Sequence, residues 1–144
     1  MTGSPSLSDV LVIDDDPPTR CVLRRLLEPA GYWVREAANA AEALTEIAES
    51  APAVALCDVH MPGPSGLWLA DQIRVQAPAT AILLVTGDAD IPPSESLRHG
   101  VIAYLVKPLN RQALIRAVDE AARWSFAERE HQLPARPLPL FPVR

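Results

Sequence analysis

Four apolar runs in this chain each stop at a side chain able to do polar chemistry. Val10-Leu11-Val12-Ile13 runs into Asp14-Asp15-Asp16, and Val54-Ala55-Leu56-Cys57 runs into Asp58, with a Pro62-Gly63 turn just beyond. Ala81-Ile82-Leu83-Leu84-Val85 leads to Thr86-Gly87-Asp88, and Ala103-Tyr104-Leu105-Val106 leads to Lys107-Pro108. In an open parallel α/β sheet, ligands bind outside the carboxyl ends of the strands, so four such strands gather carboxylates, a hydroxyl and an amine at one rim. Acidic groups crowded there repel one another unless a cation sits among them. Oxygen donors without clustered His or Cys suit a hard ion such as Mg²⁺. Mg²⁺ held by one or two carboxylates keeps places for water and phosphate oxygens, which a phosphoryl-transfer site requires. Lys107 would neutralise phosphoryl charge, Thr86 would hydrogen-bond it, and Asp58 is left as the nucleophile.

The elements that must position these groups follow from periodicity. Residues 1–9, with Gly3, Pro5 and three serines, read as a flexible lead-in. The first run is too short and too uniformly apolar for a surface helix and suits a central parallel strand. Pro17-Pro18 fits the first turn of a helix whose face is Val22, Leu23, Leu26, Leu27 and Ala30, with Gly31 as its stop. Residues 32–37 alternate and carry Arg35 and Glu36, as an edge strand with one wet side would. Asn39 or a neighbour caps a helix built on Ala40, Ala43, Leu44, Ile47 and Ala48, and Ser65 caps another built on Leu67, Leu69, Ala70 and Ile73. After Thr86 the adjacent Pro92 and Pro93 leave only 94–99 for a short helix, closed by Gly100. Asn110 caps a last helix marked by Leu114, Ile115, Val118, Ala121, Ala122 and Ser125. Five strands alternating with five helices predict a doubly wound α/β parallel sheet with helices on both faces. The domain is expected over 10–126, with 127–144 a helix end and a Pro-rich tail or linker around Pro134, Pro137, Pro139 and Pro142.

Bulk properties narrow the classes. A chain of 144 residues that is 49% hydrophobic suits one domain with a packed core. A net charge of -5 argues against nucleic-acid binding through a basic surface. Arg20, Arg24 and Arg25 are the one basic cluster, read as the solvated face of a helix. Cys21 and Cys57 make no disulfide framework and are expected reduced. No apolar stretch approaches the roughly 20 residues that span a bilayer, and no signal peptide opens the chain, so the expected location is cytoplasmic, without membrane contact.

Taken together, Val12-Ile13-Asp14-Asp15-Asp16-Pro17, Asp58-Val59-His60-Met61-Pro62-Gly63 followed by Gly66, Thr86-Gly87 and Lys107-Pro108 resemble the receiver domains of response regulators, over residues 10–124. The resemblance implies a flavodoxin-like sheet ordered 2-1-3-4-5. It implies Mg²⁺ held by Asp15, Asp58 and the main-chain carbonyl of His60, with Asp14 holding a metal water. It also implies phosphorylation of Asp58 by a histidine kinase or a histidine phosphotransfer protein in a two-component phosphorelay. Thr86 and Tyr104 correspond to the family's switch pair, and Lys107-Pro108 to the place of a cis peptide. The chain departs from the family pattern at Pro92-Pro93, where the fourth helix of a receiver begins, and at Trp33 and Trp68, whose positions are usually polar.

The expected function is a phosphoryl-accepting switch that changes its contacts with a downstream protein or with a second copy of itself. Its only chemistry would be self-phosphorylation and autodephosphorylation. Two competing functions are a receiver-like scaffold indifferent to phosphorylation and a phosphohydrolase of the haloacid-dehalogenase type. The latter needs Thr at position 18, where Pro18 stands. Asp16 is expected to cap a helix rather than bind metal, and His99 and His131 to lie at the surface.

Overall fold

The structure is a computed structural model that describes residues 8–87 and 101–132. In chain order it places β1 at Asp9–Ile13, α1 at Pro17–Leu27, a 3₁₀ turn at Glu28–Ala30, β2 at Trp33–Ala37, α2 at Ala40–Glu49 and β3 at Val54–Asp58. Then follow α3 at Gly66–Gln76, β4 at Ala81–Thr86, β5 at Ala103–Val106 and a long α4 at Arg111–Gln132. The strands form one parallel sheet ordered β2-β1-β3-β4-β5, the flavodoxin-like order. The short helix expected over 94–99 and the Pro-rich tail lie outside the described residues. No helix among the described residues is long and apolar enough to cross a membrane.

The central strands β1, β3 and β4 are apolar between their ends because both faces of the sheet are covered there. Leu11, Ile13, Ala55, Cys57, Ile82 and Leu84 point to one face, where Ala43 and Ile47 of α2 and Leu69 and Ile73 of α3 meet them. Val10, Val12, Val54, Leu56, Leu83 and Val85 point to the other, against Leu23 and Leu27 of α1 and Leu114 and Val118 of α4. Each fully buried Leu or Ile contributes roughly 1.5–3 kcal/mol of transfer free energy. Only β2, at the edge, carries charge inside its span: Arg35 meets Asp9 at 2.8 Å and Glu46 at 3.0 Å and donates to the carbonyl of Ser50. Glu36, the residue after Arg35, points to the opposite face, so the expected single wet side is corrected to one charge on each face of the edge strand.

Helix starts follow the expected caps. The side chains of Asp16, Asn39, Ser65 and Asn110 accept from the backbone N–H of Thr19, Glu42, Trp68 and Ala113. Asp16 is thus a cap. Glu42 reaches back to the N–H of Ala38 and completes a reciprocal pair around the start of α2. Two expectations for α1 are corrected. The helix does not continue to Ala30, because Pro29 cannot donate an N–H and its ring crowds the preceding turn, so the chain tightens into the 3₁₀ turn before Gly31 at φ +102°. Val22, placed on the apolar face by spacing, is 55% exposed. The buried face runs through Leu23 and Leu27 instead.

Parallel register brings the polar strand ends level. Ile13 pairs with Cys57, so Asp14 emerges beside Asp58; Asp58 pairs with Val85, and Thr86 pairs with Val106 immediately before Lys107. The exit from β3 is fixed by Gly66, whose N–H donates to the carbonyl of Val59. A Cβ on Gly66 would stand 2.3 Å from the Asp58 carbonyl oxygen, with main chain on both sides of the clash. We predict that Gly66→Ala lowers stability by about 1–3 kcal/mol, the usual cost of overpacking, and displaces the end of β3. Urea unfolding together with the amide shifts of Asp58 and Val59 checks both effects.

Candidate functional site

Asp14, Asp15 and Asp58 present carboxylate oxygens that all lie within 4.8 Å of one another. Asp14 is 2% exposed and Asp58 6% exposed, so two of the three charges are held away from water, while Asp15 stands at the exposed rim. Asp58 Oδ1 accepts from the N–H of His60 at 3.2 Å. Asp14 Oδ1 accepts from the N–H of Asp16 at 2.9 Å. Lys107 Nζ lies 3.4 Å from Asp14 Oδ2 and 3.9 Å from Asp58 Oδ2, one ammonium facing both buried acids. The N–H of Lys107 donates to the carbonyl of Thr86 at 2.7 Å, just past the Thr86–Val106 pair of the β4–β5 ladder, and Lys107-Pro108 is cis.

Burial and the neighbouring charge of Asp14 push the Asp58 carboxyl above its ordinary range, and Lys107 and the His60 amide only partly oppose them. Asp58 is thus a buried acid whose ionised form is disfavoured by its surroundings. Three carboxylates and no imidazole or thiolate among the donors form an oxygen set suited to a hard divalent cation, and the residues present fit Mg²⁺ in that respect. Cys57, directly before Asp58, is fully buried, and its thiol is pushed up by burial and by the charges of Asp58 and Asp14, so it takes no part as a thiolate. Both cysteines are free.

The residues singled out in the sequence fall as follows. Asp14, Asp15, Asp58 and Lys107 converge. Thr86 is fully buried at the end of β4, next to Val85, the register partner of Asp58. Tyr104 is half-buried on β5 and packs against the core face shared with α2 and α3. The His60 side chain is exposed, and its main chain touches the site through the amide just described.

Sequence reasoning misassigned part of the basic cluster. Arg20 and Arg24 are not a merely solvated face: both pair with Glu36 on β2, at 2.9 Å and 2.7 Å, and Arg24 also meets Glu28 at 2.6 Å. The Arg24 and Arg20 guanidiniums hold Glu36 below the usual carboxylate range in spite of its burial. Arg20 further donates from Nη1 to the main-chain carbonyl of Asp14 at 2.6 Å. The available signal was Glu36 in an edge strand that runs beside the helix bearing both arginines.

An acid cluster and a lysine at the carboxyl edge of a 2-1-3-4-5 parallel sheet define a doubly wound α/β domain with its polar groups gathered at the edge where such folds bind ligands. The response regulator receiver domain matches residues 10–119, and the chain belongs to that family, the receivers of two-component signalling. It is 33% identical over 122 residues to the C4-dicarboxylate transport transcriptional regulatory protein DctD of Rhizobium meliloti (strain 1021), covering 84% of this chain and 26% of that protein. To the DNA-binding transcriptional regulator NtrC of Escherichia coli (strain K12) it is 35% identical over 113 residues, 78% of this chain and 24% of that protein. The chain thus spans about a quarter of the length of these regulators. The CheY-like response regulator receiver domain protein of Methanospirillum hungatei JF-1 superposes with a TM-score of 0.79 at 32% identity, covering 85% of this chain and 98% of that one.

The raised pKa of Asp58 has a consequence for stability. In acid the carboxyl is protonated in both the folded and the unfolded chain and costs nothing. Above the folded pKa it is ionised in both, and the native state bears the penalty of holding the charge. Asp58→Asn, whose amide oxygen can still accept from His60, is expected to raise the urea midpoint at pH 7 without divalent cation. That gain should vanish at about pH 3, below the ordinary carboxylate pKa. Urea titrations at the two pH values, in chelator, measure it.

Proposed function

We propose that this receiver is a phosphoryl-accepting signalling switch, and the observation that carries the reading is the meeting of the Asp14, Asp15 and Asp58 carboxylates with Lys107 Nζ at one sheet edge. An Asp58 carboxylate oxygen attacks the phosphorus of a phosphohistidine on a histidine kinase or a histidine phosphotransfer protein. The P–N bond breaks, its electron pair returns to the donor imidazole, and Asp58 becomes an acyl phosphate. Attack of water later releases inorganic phosphate and restores the carboxylate, so no outside substrate is turned over. Asp15, Asp58 and the main-chain carbonyl of His60 would hold Mg²⁺, with Asp14 reaching it through water. When bound, Mg²⁺ neutralises charge developing on the phosphoryl oxygens.

The chain's own groups do the rest. Lys107 holds the new dianion, Thr86 hydrogen-bonds it, and Tyr104 turns inward behind Thr86, carrying the change to the β5 side of the molecule. The acid set and Lys107 support this reading over a phosphorylation-independent scaffold. The location we assign is cytoplasmic, and in a longer protein such a receiver would govern an attached output domain, as the names of the matched transcriptional regulators suggest.

Protein contacts of the phosphorylated form, including those with a second copy, are assigned to α4. Trp124 packs half-buried against the core, whereas Phe126 two positions later is 58% exposed and is the side chain free to anchor such a contact.

Wild-type protein given Mg²⁺ and a small acyl-phosphate donor should gain one acid-labile phosphoryl group per chain, and Asp58→Asn none. Asp15→Asn should keep its fold but lose both Mg²⁺ binding and phosphorylation. Intact-mass measurement and Mg²⁺ titration read these outcomes, and phosphorylation of the Asp58→Asn chain would overturn the assignment. Sedimentation with and without a phosphoryl analogue should show association that is enhanced by the analogue and lost in Phe126→Ala. Monomers throughout would eliminate the second copy as partner.

A further inference from the structure

We propose that Arg20 is a positioning residue for the divalent cation, acting through the peptide that joins Asp14 to Asp15. This inference rests on the reading of the acid cluster as a Mg²⁺ site. The Arg20 guanidinium, only 16% exposed, is bound on two sides: Nε donates to Glu36 on β2 at 2.9 Å, and Nη1 donates to the Asp14 carbonyl at 2.6 Å. Glu36 is itself held by Arg24 at 2.7 Å, so the fork of Arg20 rests on a fixed base.

The carbonyl it grips lies at the last point where β1 is still anchored. The N–H of Asp14 donates to the Ala37 carbonyl, which completes the β1–β2 ladder, and the Asp14 carboxylate is fastened by the Asp16 amide and Lys107. Beyond that carbonyl the chain leaves the sheet. A peptide unit is planar, so fixing the direction of the Asp14 carbonyl fixes the plane that also contains the Asp15 amide and Cα, and thereby the point from which the Asp15 side chain departs. The Asp15 carboxylate is exposed and has no hydrogen-bond or ion-pair partner among the described residues, so its aim toward Asp14 and Asp58 is set by the backbone. Arg20 sets that backbone.

Anchoring of α1 does not depend on this contact. Leu23 and Leu27 are buried in the core, Asp16 caps the first turn, and Arg24 holds Glu36 independently. Nor does Arg20 serve by supplying positive charge, since its own charge is matched by Glu36. A planar fork that meets a carboxylate and a carbonyl from two different nitrogens is not reproduced by an ammonium, whose three donors share one nitrogen and so cannot occupy both donor positions. Lysine at position 20 therefore separates positioning from charge.

The test titrates Mg²⁺ into the full chain as wild type, Arg20→Met and Arg20→Lys, following the amide shifts of Val59 and His60, with the urea midpoint of each variant measured in chelator. Rates of phosphorylation by acetyl phosphate are recorded across the same Mg²⁺ range. Arg20→Met and Arg20→Lys should both bind Mg²⁺ at least about tenfold more weakly, as loss of an outer-shell partner does. Their phosphorylation should recover to near the wild-type rate once Mg²⁺ is saturating, because Asp58, Thr86 and Lys107 are untouched. Unchanged affinity in Arg20→Met, or full affinity in Arg20→Lys, overturns the inference. Failure of the wild-type chain to bind Mg²⁺ would instead overturn the reading of the site on which it rests.

Discussion

Mutual repulsion of carboxylates at the carboxyl edge of the sheet is the constraint around which this molecule is arranged. Two unit charges about 4 Å apart interact by about 4 kcal/mol at the effective dielectric near a protein surface, and here Asp14 and Asp58 are both buried with Asp15 beside them. Lys107 offsets part of this from 3.4 Å and 3.9 Å. Burial first, and the Asp14 charge after it, push the Asp58 carboxyl upward in spite of Lys107. A small domain that keeps such charge in place needs a scaffold whose stability comes from elsewhere.

That scaffold is the three central strands, buried on both faces. Their parallel register makes proximity at the edge a by-product of hydrophobic packing: once Ile13 sits beside Cys57 and Cys57 beside Leu84, the residues one step further on have no choice but to meet. Gly66 lets α3 start against the Asp58 carbonyl, and Ser65 caps its first turn. The long α4 packs along one face of this scaffold through Leu114, Val118 and Ala121 and carries the exposed Phe126 further on.

Most of this could be read from the residues in order. Short apolar runs ending in Asp, Thr or Lys mark buried parallel strands, because only a sheet covered on both faces tolerates such runs, and the polar terminus of each marks the ligand edge. Helix starts were legible for a local reason: Asp16, Asn39, Ser65 and Asn110 act on amides three positions away. What stayed hidden was non-local or depended on fine rotation about a helix axis. Val22 and Leu23 are equally apolar, and which of them is buried is decided by how α1 leans on Val34 and Val12 across the sheet. Arg20 looks like any surface arginine until β2 brings Glu36 alongside, and its hold on the Asp14 carbonyl has no counterpart in residue type or spacing. Pro29 was the local signal passed over, since it alone requires α1 to tighten before Gly31.

The account stands on the claim that the acid cluster carries unrelieved negative charge which a divalent cation relieves. Carbon-13 NMR of the aspartate carboxyl groups through a pH titration measures this directly, with and without Mg²⁺. The account predicts a pKa for Asp58 above the ordinary carboxylate range in chelator and a clear fall when Mg²⁺ is added. An ordinary value in chelator, or a raised value that Mg²⁺ leaves in place, would contradict it.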